Sequence, residues 1–172
     1  MTLYNNPRRG LIAMRFNMEY RETFERVCHG AADGVDYFAK LYGPLMKRIG
    51  AFRKGPAFTR LDRIGVTRES LLWTANLMPP APQGVKWNKE LAERLAEVGR
   101  NDFCRNMDLL FLCGKPVAEA FGANARHGVG DVVVITKRTK GVIIPHPSGL
   151  NRWWQDDAAV LELAETIRDL TQ

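Results

Sequence analysis

The chain has 172 residues, of which 45% are hydrophobic and 26% are charged, and its formal net charge is +6. This length and apolar content predict one domain, residues 1–172, with a buried core. No apolar run approaches the roughly 20 residues that a membrane-spanning helix needs, and the first residues lack the pattern of a secretory signal. We therefore expect a soluble, cytoplasmic protein with no membrane partner.

The three cysteines, Cys28, Cys104 and Cys113, are far apart and form no CxxC pair, so their spacing is not that of a zinc site. The sequence also contains no Gly-rich nucleotide-binding loop. We expect reduced thiols, no metal and no cofactor. Cys113 lies inside an apolar run, which predicts a position in the core.

The excess positive charge is concentrated in one segment. Residues 40–63, the basic segment, hold seven Lys or Arg and one acidic residue, whereas residues 1–39 and 64–172 are each balanced. Such a concentration predicts a polyanionic partner, with a solvated surface as the alternative. We expect the most exposed of these cations in the loop that contains Arg53 and Lys54.

The first part of the chain predicts a strand and then helices. Two segments are alternative first strands, and the pattern does not rank them. Spacings of three and four residues between apolar side chains then indicate two helices, and a glycine- and proline-containing loop ends the second. These elements are, in order, the strands 1–4 or 10–16, the helices 19–28 and 36–49, the loop 50–56 and a short helix at 60–64.

The central part predicts a strand, a helix and a second strand. Residues 70–76 are continuously apolar enough for burial on both faces of a sheet, and this strand ends at Asn76 because three prolines follow. A helix starts near Trp87 with Asn88 as its N-cap. A strand at 107–113 then turns through Gly114 into a helix that has Pro116 at its first position.

The last part predicts a β-hairpin and a C-terminal helix. The apolar runs 131–136 and 141–144 are separated by a polar turn, and Asp156 or Asp157 caps the last helix. Strands that alternate with helices predict an α/β fold in three layers, α/β/α, with a short, mainly parallel central sheet.

The loop after the last strand carries the residues best suited to chemistry. Pro145 and Pro147 fix the backbone on both sides of His146, which we expect to be presented rather than buried. By itself this pattern is also typical of an ordinary strand-to-helix connection. The residues that follow are suited to a tight turn, an apolar tip and a phosphate contact, namely Ser148, Gly149, Leu150 and Arg152.

Three segments, including this loop, follow predicted strands. They are therefore expected at one edge of the sheet, where ligands of open α/β sheets bind. They are residues 76–80, 114–118 and 146–152. In this order and spacing they resemble the uracil-DNA glycosylase superfamily. LLFLCGKPVAEAFG is similar to the family's strand-Gly-Lys-helix segment, and IPHPSGLNR is similar to its final motif, which reads NPSGLSR in mismatch-specific members and begins with HPS in others. The resemblance covers about residues 60–172.

The resemblance implies a single uracil-DNA glycosylase-like domain that flips uracil or a related modified pyrimidine out of DNA and removes it by hydrolysis. His146 matches the histidine that stabilises the departing base, and Asn76 matches the asparagine that reads the base edge. Leu150 matches the wedge that fills the vacated stack. The implied contacts to the DNA backbone come from Ser148, Gly149, Arg152 and Lys115, with Arg53 and Lys54 from the basic segment.

The family's first motif, which positions or activates water, has two imperfect counterparts. Asn6 lies in YNNPRRG, which keeps Asn-Pro without the leading Gly. Asn17, with Glu19 as its alternative, lies in RFNMEY, which follows a better strand. Both stay as alternatives, and two further functions remain open. One is a catalytically inactive module that binds nucleic acid or protein, and the other is a hydrolase of a free modified nucleotide. Trp153 and Trp154 are candidates either for stacking on bases or for packing.

Overall fold

A computed structural model describes residues 7–14, 51–52, 56–78, 86–102 and 104–172. Several predictions concern residues outside these ranges. They are the strand at 1–4, the helices 19–28 and 36–49, Cys28, and the proposed site residues Asn6, Asn17, Arg53 and Lys54.

A five-stranded sheet forms the centre of the described structure. Its spatial order is β2-β1-β3-β5-β4, and only β4 is antiparallel to its neighbour. The mainly parallel sheet and the hairpin between β4 and β5 were both predicted and are confirmed. The strands are β1 (Arg9–Ala13), β2 (Trp73–Asn76), β3 (Leu109–Cys113), β4 (Val132–Val134) and β5 (Lys140–Ile144).

Helices lie on both faces of this sheet. The α-helices in the described ranges are α1 (Pro56–Asp62), α2 (Lys89–Asp102), α3 (Lys115–Ala120) and α4 (Asp157–Thr171), and 3-10 helices cover Arg68–Ser70 and Arg152–Gln155. Within the described residues, no helix has both the length and the apolar character needed to cross a membrane.

Two hydrophobic cores, one on each face of the sheet, confirm the predicted three-layer α/β/α arrangement. Because successive strand residues point to opposite faces, Leu110 and Leu112 of β3 pack with α2 and α3, while Phe111 and Cys113 pack with α1 and α4. All five residues of β3 are buried, since the strand is central and covered on both sides. Cys113 is fully buried, as predicted, and burial raises the pKa of its thiol.

Side-chain caps start two of the helices where the sequence predicted them. Asn88 Oδ1 accepts a hydrogen bond from the Leu91 amide at 3.0 Å at the start of α2. Asp156 Oδ1 accepts one from the Ala159 amide at 3.1 Å at the start of α4. Each cap satisfies a backbone donor that the helix itself leaves unpaired.

Two predicted boundaries were wrong. The strand predicted at 70–76 contains only Trp73–Asn76, because a capping box on Thr67 winds residues 68–70 into a 3-10 helix. The predicted burial on both faces holds for the end of the strand, where Ala75 and Asn76 point to opposite faces and are both buried. Trp73 is only half-buried, and β2 lies at the edge of the sheet. The short helix predicted at 60–64 instead covers Pro56–Asp62, since proline suits the first turn of a helix.

Candidate functional site

A cavity of about 400 Å³ opens at the edge of the sheet where the parallel strands end. Met14 follows β1, Gly114 follows β3 and His146 follows β5, and all three line it. In the sheet, β2 lies on one side of β1, and β3 lies on its other side. The order of the strands along the chain therefore changes direction at β1, and the cavity lies at this switch point. The sequence predicted this edge as the site.

Gly114 provides the backbone conformation of the turn at this edge. Its φ is +90° and its ψ is 156°, a conformation that is essentially restricted to glycine. A Cβ built on Gly114 lies 3.6 Å from the His146 Cβ and 3.7 Å from the Met14 sulfur. The glycine therefore lets the chain turn from β3 into α3 between two other walls of the cavity.

His146 lines this cavity and is half-buried, so the expectation that it is presented rather than buried holds only in part. The Phe52 ring contacts its imidazole edge-on, with 5.7 Å between the ring centroids. Burial lowers the pKa of His146 below its ordinary value of 6.5. The side chain is therefore a neutral imidazole at neutral pH, which accepts at one nitrogen and donates at the other.

The loop that carries His146 is held by side chains that bind its backbone. The His146 carbonyl accepts hydrogen bonds from Asn151 Nδ2 at 3.1 Å and from Trp154 Nε1 at 2.9 Å. Ser148 Oγ accepts from the Leu150 amide at 3.2 Å, and the Ser148 carbonyl accepts from the Asn151 amide at 3.1 Å. These bonds fix the path of the loop over residues 146–154.

The tip of the same loop points away from the protein. Leu150 is 94% exposed, which is the largest exposure of any large hydrophobic residue in the described ranges. Gly149 and Arg152 beside it are exposed, and Ser148 is half-buried. Four of the predicted DNA-contacting residues therefore lie together on one surface.

Lys115 lies at the cavity and is already in an ion pair. Its Nζ is 3.8 Å from Glu119 Oε1, one helical turn later in α3, and the Lys115 side chain is 70% exposed. Both residues line the cavity. An exposed pair of this kind contributes little to stability and exchanges readily for another anion.

Asn76 lies at the same edge of the sheet but does not line this cavity. It is the last residue of β2 and is 3% exposed. Asn76 ends β2 and His146 follows β5, and two other strands lie between β2 and β5. The axes of β2 and β5 are therefore about 14 Å apart. The structure brings the two residues to one edge without placing them in one described cavity.

The sequence prediction missed part of the cavity wall. The loop between α3 and β4 contributes Asn124, His127 and Val129, which no periodic pattern or family motif indicated. Packing accounts for Trp154, whereas both of the roles left open still apply to Trp153. Trp154 is buried in the core between the sheet and α4, whereas Trp153 is half-buried and lines the cavity.

Arg60 and Arg63 belong to the basic segment and lie in or next to α1. Both donate hydrogen bonds to the loop at 146–154 or to the residues after it. Arg60 Nη1 donates to the Pro147 carbonyl at 3.4 Å. Arg63 Nη1 donates to the Trp154 carbonyl at 2.8 Å, and its Nη2 donates to Asp157 Oδ1 at 2.9 Å. These two arginines therefore help to hold the segment from residue 147 to residue 157.

In the part of the chain that the structure describes, no three His, Cys, Asp or Glu side chains come together as a metal site would require. Comparison of the chain with protein-family models and with curated protein sequences found no match. The function is therefore inferred from the residues of the site and from the family resemblance of their motifs.

Proposed function

We propose that this protein is a DNA glycosylase that flips uracil or a related modified pyrimidine out of DNA and removes it by hydrolysis. One observation carries the proposal: a single rigid loop contributes His146 to the cavity and exposes Leu150 almost completely outside it. An enzyme that acts on an extruded base needs a group in the pocket and benefits from one that occupies the vacated stack. This loop supplies both within five residues.

In the proposed reaction, His146 stabilises the departing base. The oxygen of a water molecule bonds to the sugar C1′, the bond from C1′ to the base nitrogen breaks, and its electron pair leaves with the base. The water gives up one proton, which neutralises the base anion or passes to solvent. A neutral imidazole N–H that donates to the base carbonyl stabilises this developing charge, and the hydrogen-bonded loop holds the donor in place beforehand.

The remaining proposed roles follow from the family resemblance. Leu150 fills the duplex, and Ser148, Gly149 and Arg152 contact the flanking phosphates. Lys115 exchanges Glu119 for a phosphate, and Arg53 and Lys54 extend the basic surface. Asn76 reads the base edge from the end of β2, and water is positioned by Asn6 or Asn17. Asn6, Asn17, Arg53 and Lys54 lie outside the described residues, so their roles stay predictions from the sequence.

The test is incubation of the protein with oligonucleotides that contain uracil, a thymine mismatch or 5-hydroxymethyluracil, followed by alkaline strand scission. We expect cleavage of at least one of these oligonucleotides. Deoxyuridine monophosphate belongs in the same panel, because base release from it alone identifies a hydrolase of free nucleotides. If nothing is cut while labelled DNA still binds with a steep salt dependence, the protein is a binding module and not a glycosylase.

The variant His146→Ala separates catalysis from binding. We expect turnover to fall by about two to three orders of magnitude, as for the loss of one donor to a developing anion, while DNA affinity stays nearly unchanged. Lys137→Ala is the matched control, since Lys137 is exposed in the turn between β4 and β5, at the opposite edge of the sheet. Equal losses of binding and turnover in His146→Ala would contradict the assigned role.

A further inference from the structure

The cavity continues beyond His146 to the loop between α3 and β4, where His127 lines it. For scale, an apolar protein cavity of about 150 Å³ holds one benzene ring. The cavity here is about 400 Å³. It therefore has room for a six-membered ring beside His146 and for a substituent that extends toward His127.

A tight turn orients the His127 ring. The Asn124 amide donates to His127 Nδ1 at 3.0 Å, and the His127 amide donates back to the Asn124 carbonyl at 3.1 Å. The Asn124 side chain closes the turn, because its Oδ1 accepts from the Arg126 amide at 2.9 Å. A neutral imidazole that accepts at Nδ1 carries its hydrogen on Nε2.

The surroundings of His127 make this donor distinctive. The cavity wall near it in the chain is formed by Ala123 and Val129, and Ile143 of β5 also lines the cavity. His127 itself is half-buried. An oriented donor beside apolar side chains favours a ligand that offers an acceptor there and disfavours one that leaves the donor unpaired.

We propose that His127 is a specificity-determining residue that donates a hydrogen bond from Nε2 to an acceptor on the substituent of the flipped base. This inference rests on the proposed glycosylase function. It names the preferred substrate class as pyrimidines whose 5-substituent carries an oxygen acceptor, in preference to thymine, whose methyl group has a similar size and no acceptor.

The first test compares the cleavage of DNA containing 5-formyluracil with that of DNA containing thymine in the same sequence and mismatch. We expect the wild type to prefer 5-formyluracil in kcat/KM and His127→Ala to lose about tenfold of that preference, as for one hydrogen bond. The loss in kcat/KM is expected to be larger for 5-formyluracil than for thymine. An unchanged preference in His127→Ala overturns the inference.

Two conservative variants separate this role from a structural one. His127→Asn places an amide oxygen near the Nδ1 position, so it keeps the acceptor for the Asn124 amide but has no donor at the Nε2 position. His127→Gln places an amide nitrogen near the Nε2 position. We expect His127→Asn to lose the preference and His127→Gln to retain part of it. Equal effects of the two substitutions would assign His127 to the stability of the turn alone.

A binding measurement distinguishes failure of this inference from failure of the glycosylase proposal. Free 5-formyluracil and free thymine are added to the full chain, and the side-chain ¹⁵N signals of His127 and His146 are followed by NMR. We expect 5-formyluracil to shift both histidines and thymine to shift His146 mainly. A shift of His146 alone with both bases overturns the role of His127 and leaves the pocket in place. No shift of either histidine, together with no cleavage of DNA, overturns both proposals.

Discussion

The edge of the Phe52 ring packs against the imidazole of His146, with ring centroids 5.7 Å apart and an angle of 75° between the planes. Phe52 has a φ of 54°, which is rare for a bulky side chain. Arg68 Nη2 donates to its carbonyl at 2.7 Å and helps to hold this conformation. Phe52 belongs to the basic segment, residues 40–63, so this contact connects that segment to the histidine of the cavity.

This contact predicts that Phe52 controls the ionisation of His146. In Phe52→Ala water reaches the imidazole, so we expect its lowered pKa to rise toward 6.5. Phe52→Leu keeps apolar cover and should change the pKa less. An NMR titration of His146 in the three proteins measures the effect, and an identical pKa in Phe52→Ala and wild type would assign the burial to other neighbours.

The same burial predicts how stability depends on pH. Because the pKa of His146 is lower in the folded than in the unfolded protein, the unfolded chain binds more protons between these two pKa values. The free energy of unfolding should therefore fall as the pH is lowered below about 6.5, until the folded pKa is reached. Chemical denaturation across this range should show a smaller slope in His146→Gln than in the wild type.

Gly114 and Gly128 give a matched pair for the role of backbone conformation, since both line the cavity. At φ +90° a side chain is strained, so Gly114→Ala should destabilise the fold by about 1–3 kcal/mol. Gly128 lies outside the left-handed region, and a Cβ there meets only Asp131 Oδ2 at 3.9 Å. Denaturant unfolding should show a small change for Gly128→Ala, and equal losses in the two variants would refute the conformational argument.

Leu150 should matter for DNA in a duplex more than for single-stranded DNA. Leu150→Ala removes the proposed wedge, so we expect turnover on a paired substrate to fall about tenfold or more, with little change on the single strand. Leu161→Ala is the control, because Leu161 is another exposed leucine, 62% accessible in α4. Stability should change by less than about 0.5 kcal/mol in both. Equal losses on the two forms of DNA would exclude a wedge role.

Arg152 should contribute to DNA affinity independently of sequence. Arg152→Ala removes an exposed cation beside the loop tip, and we expect weaker binding to all sequences and a salt slope that is lower by about one. Lys137→Ala removes one cation at the opposite edge of the sheet and should leave the slope unchanged. The salt slopes are obtained by measuring DNA affinity at several salt concentrations. Equal slopes in the two variants would show that Arg152 does not contact the DNA.

The accuracy of the sequence prediction varied with the kind of interaction involved. Local bonds were predictable: Asn88 and Asp156 cap their helices because an oxygen two or three residues before a free amide reaches it in any surroundings. The buried strand β3 was predictable because an uninterrupted apolar run needs cover on both faces. The strand at 70–76 was predicted too long, since the capping box between Thr67 and Ser70 winds its start into a 3-10 helix. Its place at the edge of the sheet was not predictable, because that depends on pairing with β1, which lies about sixty residues away in the chain.

The sequence alone determined the layers, the edge of the sheet that holds the site and the exposed loop tip at Leu150, because these depend on local periodicity and on the proline and glycine spacing. Only the tertiary structure decided the partial burial of His146, the different surroundings of Trp153 and Trp154, and the presence of His127 at the cavity. Each of these depends on which distant segments pack together. Phe52 meets His146, and the strand ends meet the loop at 123–129, only after the sheet has assembled.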